Sequence, residues 1–593
     1  MPAARSLEHL RSDAVALRAA LDRRDVAGAE ATLQRMSRSA RQAHRLTRGP
    51  VWATAARIPW LGSPLRSVRG IADAADGTTT AASRALTSVG ALVGPGRLRG
   101  ADAGLPTAEL QRVMPVLSDA TKAVSQAAAT VAGLPRRTWW GTVDNARALF
   151  ADRLEDLRAG AGQINTAAQI APALLGAGGP RSYFVAFQND AEARGTGGLP
   201  GAFGIMDVAD GKIRFESFYT DVALSGVTAN VDLGRDYDTL WRASGSEQLY
   251  VNSNLGPNFP DAARIWQAMW QAKTGRRLDG AVAVDPQVLS YLLATVGPAT
   301  LPDGSSISAD NVVQLTENTA YLRFGPDITG RKRFLVQVAE AVTKRMADSH
   351  GDGLGLLTAL ARAVRDRRLL VWTADPAVES QLLRLPVSGA VPETSGPYAG
   401  LTVVNDGGNK LDYYLDRSLT WDARQCHGVR VVTVTIDLRN SVPSDVTSPF
   451  VVARSDSHPY AVSSGDNRVL VYFAASVNGR LTAATLDGRP QFVGSGMEHG
   501  HPMYSLDVEL PRQRTRRIVL HLEEPATPGT PLVPPQPLVR PMAVTVRQAG
   551  CAQQSGKPAP SRENPVAPIP GRGSLSRPAD GAPNLSPREV ASS

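Results

Sequence analysis

Cysteine is nearly absent. Cys426 and Cys551 are the only two in 593 residues. They lie far apart and no CxxC pair exists, so zinc is not expected. They flank most of a β-rich stretch. That placement suits a single disulfide closing the region, and hence an oxidising compartment; two buried free thiols are the other reading. Long apolar runs are missing as well. No stretch of 18 or more apolar residues occurs, so the sequence as it stands holds no transmembrane helix. The start, "MPAARSLEHL", lacks the apolar core of a signal peptide. Taken alone, that points to the cytoplasm and conflicts with a disulfide. Lysine is absent from residues 1–100, where 16 arginines face 7 acids, an excess equal to the +9 net charge of the whole chain. Such a basic front can favour anionic lipid or nucleic acid. These arginines carry no aromatic stacking runs and no nucleic-acid motif, so a solvated, arginine-rich helical face is expected and nucleic acid is not. Catalytic strings are also lacking: no GxxxxGK[ST] follows a strand, and there is no HExxH and no GxSxG.

A chain of this length exceeds one core, and its patterning changes twice. Residues 1–135 read as a helical stalk or bundle. Leu7, Leu10, Val15, Leu17 and Leu21 recur near helical spacing, with Pro59 and Pro64 as breaks, and Ala/Leu-rich helices are expected over 106–133 and 142–176. Residues 136–392 read as an α/β domain with a lead-in helix. Here "SYFVAFQ", "AFGIMDV" and "KIRFESFY" are strand-like, and "ADGK" (209–212) is a hairpin signal. "PDAARIWQAMWQAKTG" is a helix ended by Gly275, "DGAVAVDP" a buried strand, and "ISADNVVQLTENTAYLRF" a capped helix. Residues 393–552 alternate apolar and polar between turns and read as an all-β sandwich. The tail, 553–593, is rich in Pro, Ser and Gly and is expected to be disordered.

Two clusters carry possible chemistry. "FQNDAEARGTGGLPGAFGIMDV" (187–208) sets Asp190, Glu192 and Arg194 beside Gly195, Gly197, Gly198 and Gly201, between two strands. The glycine spacing is wrong for a dinucleotide fingerprint, and a strand follows rather than a helix, so no nucleotide cradle is expected. The glycines supply unusual φ angles for a tight connection; the charges are what that turn presents. "YLRFGPDITGRKRF" gathers Arg323, Arg331, Lys332 and Arg333 near an expected helix start at Arg331. The macrodipole disfavours cations there, which invites an anion. "HGH" (His499–His501) and "DYD" (Asp236–Asp238) read as solvated loops rather than metal sites.

The runs "GPVWATAARIPWLGSPLRSVRGIADAAD", "QNDAEARGTGGLPGAFGIM", "NSNLGPNFPDAARIWQAMWQ" and "DGAVAVDPQVLSYLLATVGPATLPDG" resemble a bacterial envelope family catalogued as a domain of unknown function, the 4012 family, over about residues 45–385. Members usually begin with a cytoplasmic tail and a membrane helix, followed by an extracytoplasmic body. The resemblance therefore implies an extracytoplasmic envelope location, supports the Cys426–Cys551 disulfide, and implies membrane association through a helix upstream of this sequence. More distantly, the order of elements resembles the LytR-CpsA-Psr phosphotransferases, which move glycopolymers from polyprenyl-pyrophosphate carriers with magnesium. That resemblance implies a layered sheet with flanking helices. It maps Asp190 and Asp221 onto catalytic, magnesium-holding positions and Arg194, Arg323, Arg331 and Arg333 onto pyrophosphate-binding ones. Two positions depart from the pattern: Thr196 or Gly197 replaces an Asp of the turn, and Thr220 replaces an Arg. The expected function is an envelope protein binding a polyprenyl-(pyro)phosphate lipid or a cell-wall glycopolymer. An active phosphotransferase and a purely structural or adhesive protein are the alternatives.

Overall fold

The computed structural model describes residues 12–13, 15–17, 19–20, 26–59, 62–93, 107–348, 353–426 and 428–550. The first turns of the expected opening helix, the Cys426 side chain, Cys551 and the Pro/Ser/Gly-rich tail lie outside the described residues.

The front is helical: α1 (Val26–Thr47), α2 (Pro50–Arg57), α3 (Ser63–Val93), α4 (Thr107–Ala132) and α5 (Gly141–Leu174). Neighbouring long helices pack in pairs, α1 on α3, α3 on α4 and α4 on α5. Small residues permit this close approach: Ala29, Ala40, Ala43, Ala72, Ala74 and Ala75 are all buried. Arg35, Arg38, Arg41 and Arg45 line the exposed side of α1 and Arg48 follows it, so this basic stretch is a solvated helical face. Among the described residues, no helix is long and apolar enough to cross a membrane.

The α/β body is built on β1 (Arg181–Arg194), β2 (Gly197–Ala209), β3 (Lys212–Thr220), β4 (Gly280–Val284) and β5 (Leu369–Thr373), in the order β3-β2-β1-β4-β5. Only β1 and β4 are parallel; the other pairs are antiparallel. The β2–β3 hairpin turns at Asp210 and Gly211, both at positive φ (47° and 78°), as the Asp-Gly signal predicts. Helix α6 (Arg235–Leu240) and helix α7 (Phe259–Thr274) follow, and Gly275 ends α7 in the left-handed region. Its buried face carries Ile265, Trp266 and Met269. Trp266 stacks on Phe184 with ring centroids 5.6 Å apart, and Phe184 stacks on Phe203 at 4.5 Å. The Trp266 Nε1–H donates to Ser253 Oγ (2.6 Å), satisfying the polar end of a fully buried indole.

Helix α8 (Pro286–Val296) follows β4. The expected capped helix after it is broken: Val312–Gln314 runs into a π turn over Leu315–Thr319 and then Ala320–Phe324, together α9. Helices α10 (Ile328–Asp348), α11 (Gly353–Arg365) and α12 (Pro376–Leu382) complete the layer. Leu382 and Leu385 pack with Ile170 and so seat the front on the body.

The β-rich part holds two sheets. One contains β7 (Leu415–Cys426), β8 (Val429–Asn440), β10 (Arg480–Leu486), β11 (Arg489–Pro490), β14 (Thr515–Pro525) and β15 (Ala543–Gly550), in the order β11-β10-β14-β8-β7-β15. The other contains β6 (Ala399–Asn405), β9 (Asn467–Ala475), β12 (Gly494–Glu498) and β13 (His501–Leu510), in the order β12-β13-β9-β6. Inward residues of both, including Val403, Val434, Val471 and Leu520, share one apolar core, as alternation along antiparallel strands requires. Ala193, at the end of β1, belongs to this same core, so the central strand of the body runs into the sandwich.

Candidate functional site

The end of β1 is irregular. Its pairing with β2 shifts register between Phe187 and Gln188 and again between Asn189 and Ala193, so Asp190, Ala191 and Glu192 bulge from the ladder. The glycines make that possible. A Cβ on Gly195 would sit 2.2 Å from the Gly256 carbonyl carbon, and one on Gly198 2.1 Å from that of Asn189. Thr196, which stands where the resemblance expects an acid, donates to Gln188 Oε1 (2.6 Å), and Asn254 Nδ2 binds both residues. The turn is a packed structural knot, not a phosphate cradle.

Asp190 points inward. Arg368, between α11 and β5, donates from Nη1 to Asp190 (2.8 Å) and to Asp285 (2.5 Å), and from Nη2 to the Leu538 carbonyl (2.6 Å). Asp285 also caps α8, accepting from the Val288 N–H (3.1 Å). Glu317, in the π turn, accepts from the Asp190 N–H (3.1 Å). Two buried carboxylates thus share one guanidinium, with a third, Glu317, beside them. Burial, then the charges of Asp285 and Glu317, hold Asp190 well above the usual carboxylate range. Burial and then Asp285 push Glu317 up to about 8. Asp190 Oδ1 and Glu317 Oε2 are buried without a hydrogen-bond partner.

The other expected residues divide. Arg194 is buried and spends its donors on the protein: Val251 O (3.2 Å), Ala193 O (2.9 Å), Asn405 O (3.2 Å) and Asn252 Oδ1 (3.4 Å). Burial draws its guanidinium down to about 10. Asp221, in the turn after β3, is ion-paired to Lys332 on α10. Magnesium requires ionised oxygens free to face it; Asp190 and Asp221 each already hold a cation of this chain, so the pair does not fit that ion. Arg331 lies 4.6 Å over the Tyr321 ring and Lys410 4.9 Å from it, while the Tyr321 hydroxyl accepts from Asn189. Arg323 lies over Phe324 (5.3 Å) with a loose pair to Asp303 (3.7 Å), and Arg333 is exposed. The structure brings Arg331, Lys332 and Asp221 to one rim. It leaves Arg194 in the interior.

Asp285, Glu317, Arg368 and Lys410 are absent from the sequence-based site. Only the Asp-Pro of "VDPQ", a helix-start signal, hinted at one of them.

The architecture is therefore that of a helical front, an α/β body and a β-sandwich, with a carboxylate–guanidinium centre at the seam of body and sandwich. Residues 178–321 match the family described as "Protein of unknown function (DUF4012)". The span holds Asp190, Arg194, Asp221, Asp285, Glu317 and Tyr321, and stops short of Arg323 and Arg368. No curated protein and no solved structure matches the chain.

The shifted Glu317 has a consequence for stability. Its pKa rises from 4.5 to about 8 on folding, so the folded protein keeps a proton that the unfolded chain releases. That contribution is complete below pH 4.5 and is lost as pH rises through about 8. Glu317→Gln keeps the acceptor for the Asp190 N–H and removes the titration. Urea denaturation across this range should show the variant gaining stability over the wild type as pH rises; parallel curves would contradict the assignment.

Proposed function

We propose that this chain is an extracytoplasmic cell-envelope protein whose body binds a phosphate-bearing anion, a polyprenyl-(pyro)phosphate or an anionic glycopolymer, at the start of α10. One observation carries the reading. Arg331 and Arg333 have no carboxylate partner among the described residues, and they stand in the first two turns of a 21-residue helix, where the macrodipole adds positive charge and Asp327, accepting from the Gly330 N–H (2.8 Å), supplies a single carboxylate. An anion offsets both. Guanidinium forks suit phosphate oxygens, and the Tyr321 face holds one fork in place. Leu322 (49% exposed), Ile328 (51%) and Val222 (64%) put apolar surface beside these cations, as an isoprenoid tail requires.

Binding without turnover is the favoured form. Thr196 is bonded to Gln188, Asp190 is engaged by Arg368 and Asp221 by Lys332, which leaves no free carboxylate pair for phosphoryl transfer. In this reading Arg194 supports the frame and Arg331, Arg333 and Arg323 meet the ligand.

The envelope reading carries with it the expected Cys426–Cys551 disulfide, which an oxidising compartment permits.

Two experiments test this reading. A polyprenyl diphosphate in detergent micelles should bind wild type in a salt-sensitive way and bind the Arg331→Ala/Arg333→Ala double variant at least about tenfold more weakly, in line with loss of two charge-assisted contacts. Unchanged affinity would remove the rim from the site. Alkylation before and after reduction, read by mass, should label both cysteines of protein made under oxidising conditions only after reduction. Full labelling without reductant would exclude the bridge.

A further inference from the structure

The His-Gly-His turn between β12 and β13 sends its two imidazoles to different tasks. His501 is fully buried, with Nδ1 2.8 Å from the Ala475 carbonyl and Nε2 3.1 Å from that of Pro392. His499, at the positive-φ position of the turn (46°), instead reaches the body. Its Nε2 lies 3.0 Å from Asp261 Oδ2 on α7 and 3.9 Å from Glu498 Oε1. One ligand atom from each of the three side chains lies within 4.8 Å of the others.

Glu498 is the informative member. Its side chain is 2% exposed. One oxygen, Oε2, accepts from the Trp241 Nε1–H at 2.8 Å; the other, Oε1, faces the cluster with no hydrogen-bond partner. A buried carboxylate oxygen without a donor is costly unless something cationic completes it. Asp261 is fixed in turn by Asn258 Nδ2 (2.8 Å). The Trp241 and Asn258 bonds are the kind of outer contacts that orient metal ligands. Glu498 and His499 border an open cleft of about 250 Å³ between the 233–237 loop and the 497–499 hairpin, which leaves room for water ligands.

We propose that Asp261, Glu498 and His499 bind a divalent transition-metal ion, zinc(II) by preference, that ties helix α7 of the body to the β12–β13 hairpin of the sandwich. Ligand distances of roughly 2.0–2.2 Å about such an ion set neighbouring ligand atoms roughly 3–3.6 Å apart, and the observed separations of 3.0 and 3.9 Å bracket that spacing. An imidazole beside two carboxylates selects zinc over magnesium or calcium, which favour all-oxygen sets. The ion replaces the proton between His499 Nε2 and Asp261, and that proton leaves to solvent.

The test uses the untagged full chain, stripped with chelator and titrated with zinc(II) by calorimetry near neutral pH. One zinc should bind per chain, magnesium and calcium in excess should not compete, and the melting temperature should rise on loading. Glu498→Gln keeps the acceptor for Trp241, and His499→Asn suits the left-handed turn, so both variants should fold. Each should bind zinc on the order of 100-fold more weakly or worse. Absence of zinc binding by wild type, or equal binding by wild type and either variant, would overturn the site. Competition by magnesium would overturn the choice of ion.

Discussion

Arg368 is the residue on which the rest depends. A guanidinium this deeply buried loses its hydration and stays charged only where carboxylates and carbonyls replace the water. Here Asp190 comes from the bulge of β1, Asp285 from the cap of α8, and the carbonyl from Leu538 between β14 and β15. Three distant stretches of chain therefore meet on one side chain. Removing it would strand two carboxylates in the interior, which costs more than the intact pair contributes.

The rim follows from that centre. With Asp190 fixed, its N–H meets Glu317 in the π turn of α9, and Asn189 beside it meets Tyr321 one helical turn on. Tyr321 then receives Arg331 and Lys410 on its ring. π turns recur at functional positions because they re-aim side chains that an unbroken helix would place elsewhere. Polar bonds cross the seam beside this path. The Ala193 N–H donates to Asp412 (2.8 Å), Arg194 to the Asn405 carbonyl (3.2 Å), and Gln536 Nε2 to the Arg194 carbonyl (2.8 Å). Directional bonds of this kind fix the register of body against sandwich more sharply than apolar contact does.

Local patterns made the elements legible. Asp210-Gly211 announced a hairpin, Gly275 a helix end, and alternation a β-sandwich, because each is decided by residues a few positions apart. The site was legible only in part. Asp190 was singled out, but its partner Arg368 lies 178 residues later, in a pair of arginines just before a strand. Arg194 has the same appearance in the sequence as a ligand-binding arginine; three of its four acceptors are backbone carbonyls, which leave no residue signature. The His-Gly-His turn lacked a third ligand locally, and Asp261 precedes His499 by 238 residues. The π turn has no recognised composition and was read as ordinary helix.

The central claim is that one buried guanidinium holds body and sandwich together as a cooperative frame. Hydrogen–deuterium exchange of Arg368→Met against wild type tests it most directly, since methionine fills similar volume without charge. The account predicts faster exchange in β1 and β4 of the body and, together with them, in β6 and the 532–538 segment of the sandwich. Faster exchange confined to one side of the seam, with the other unchanged, would contradict it.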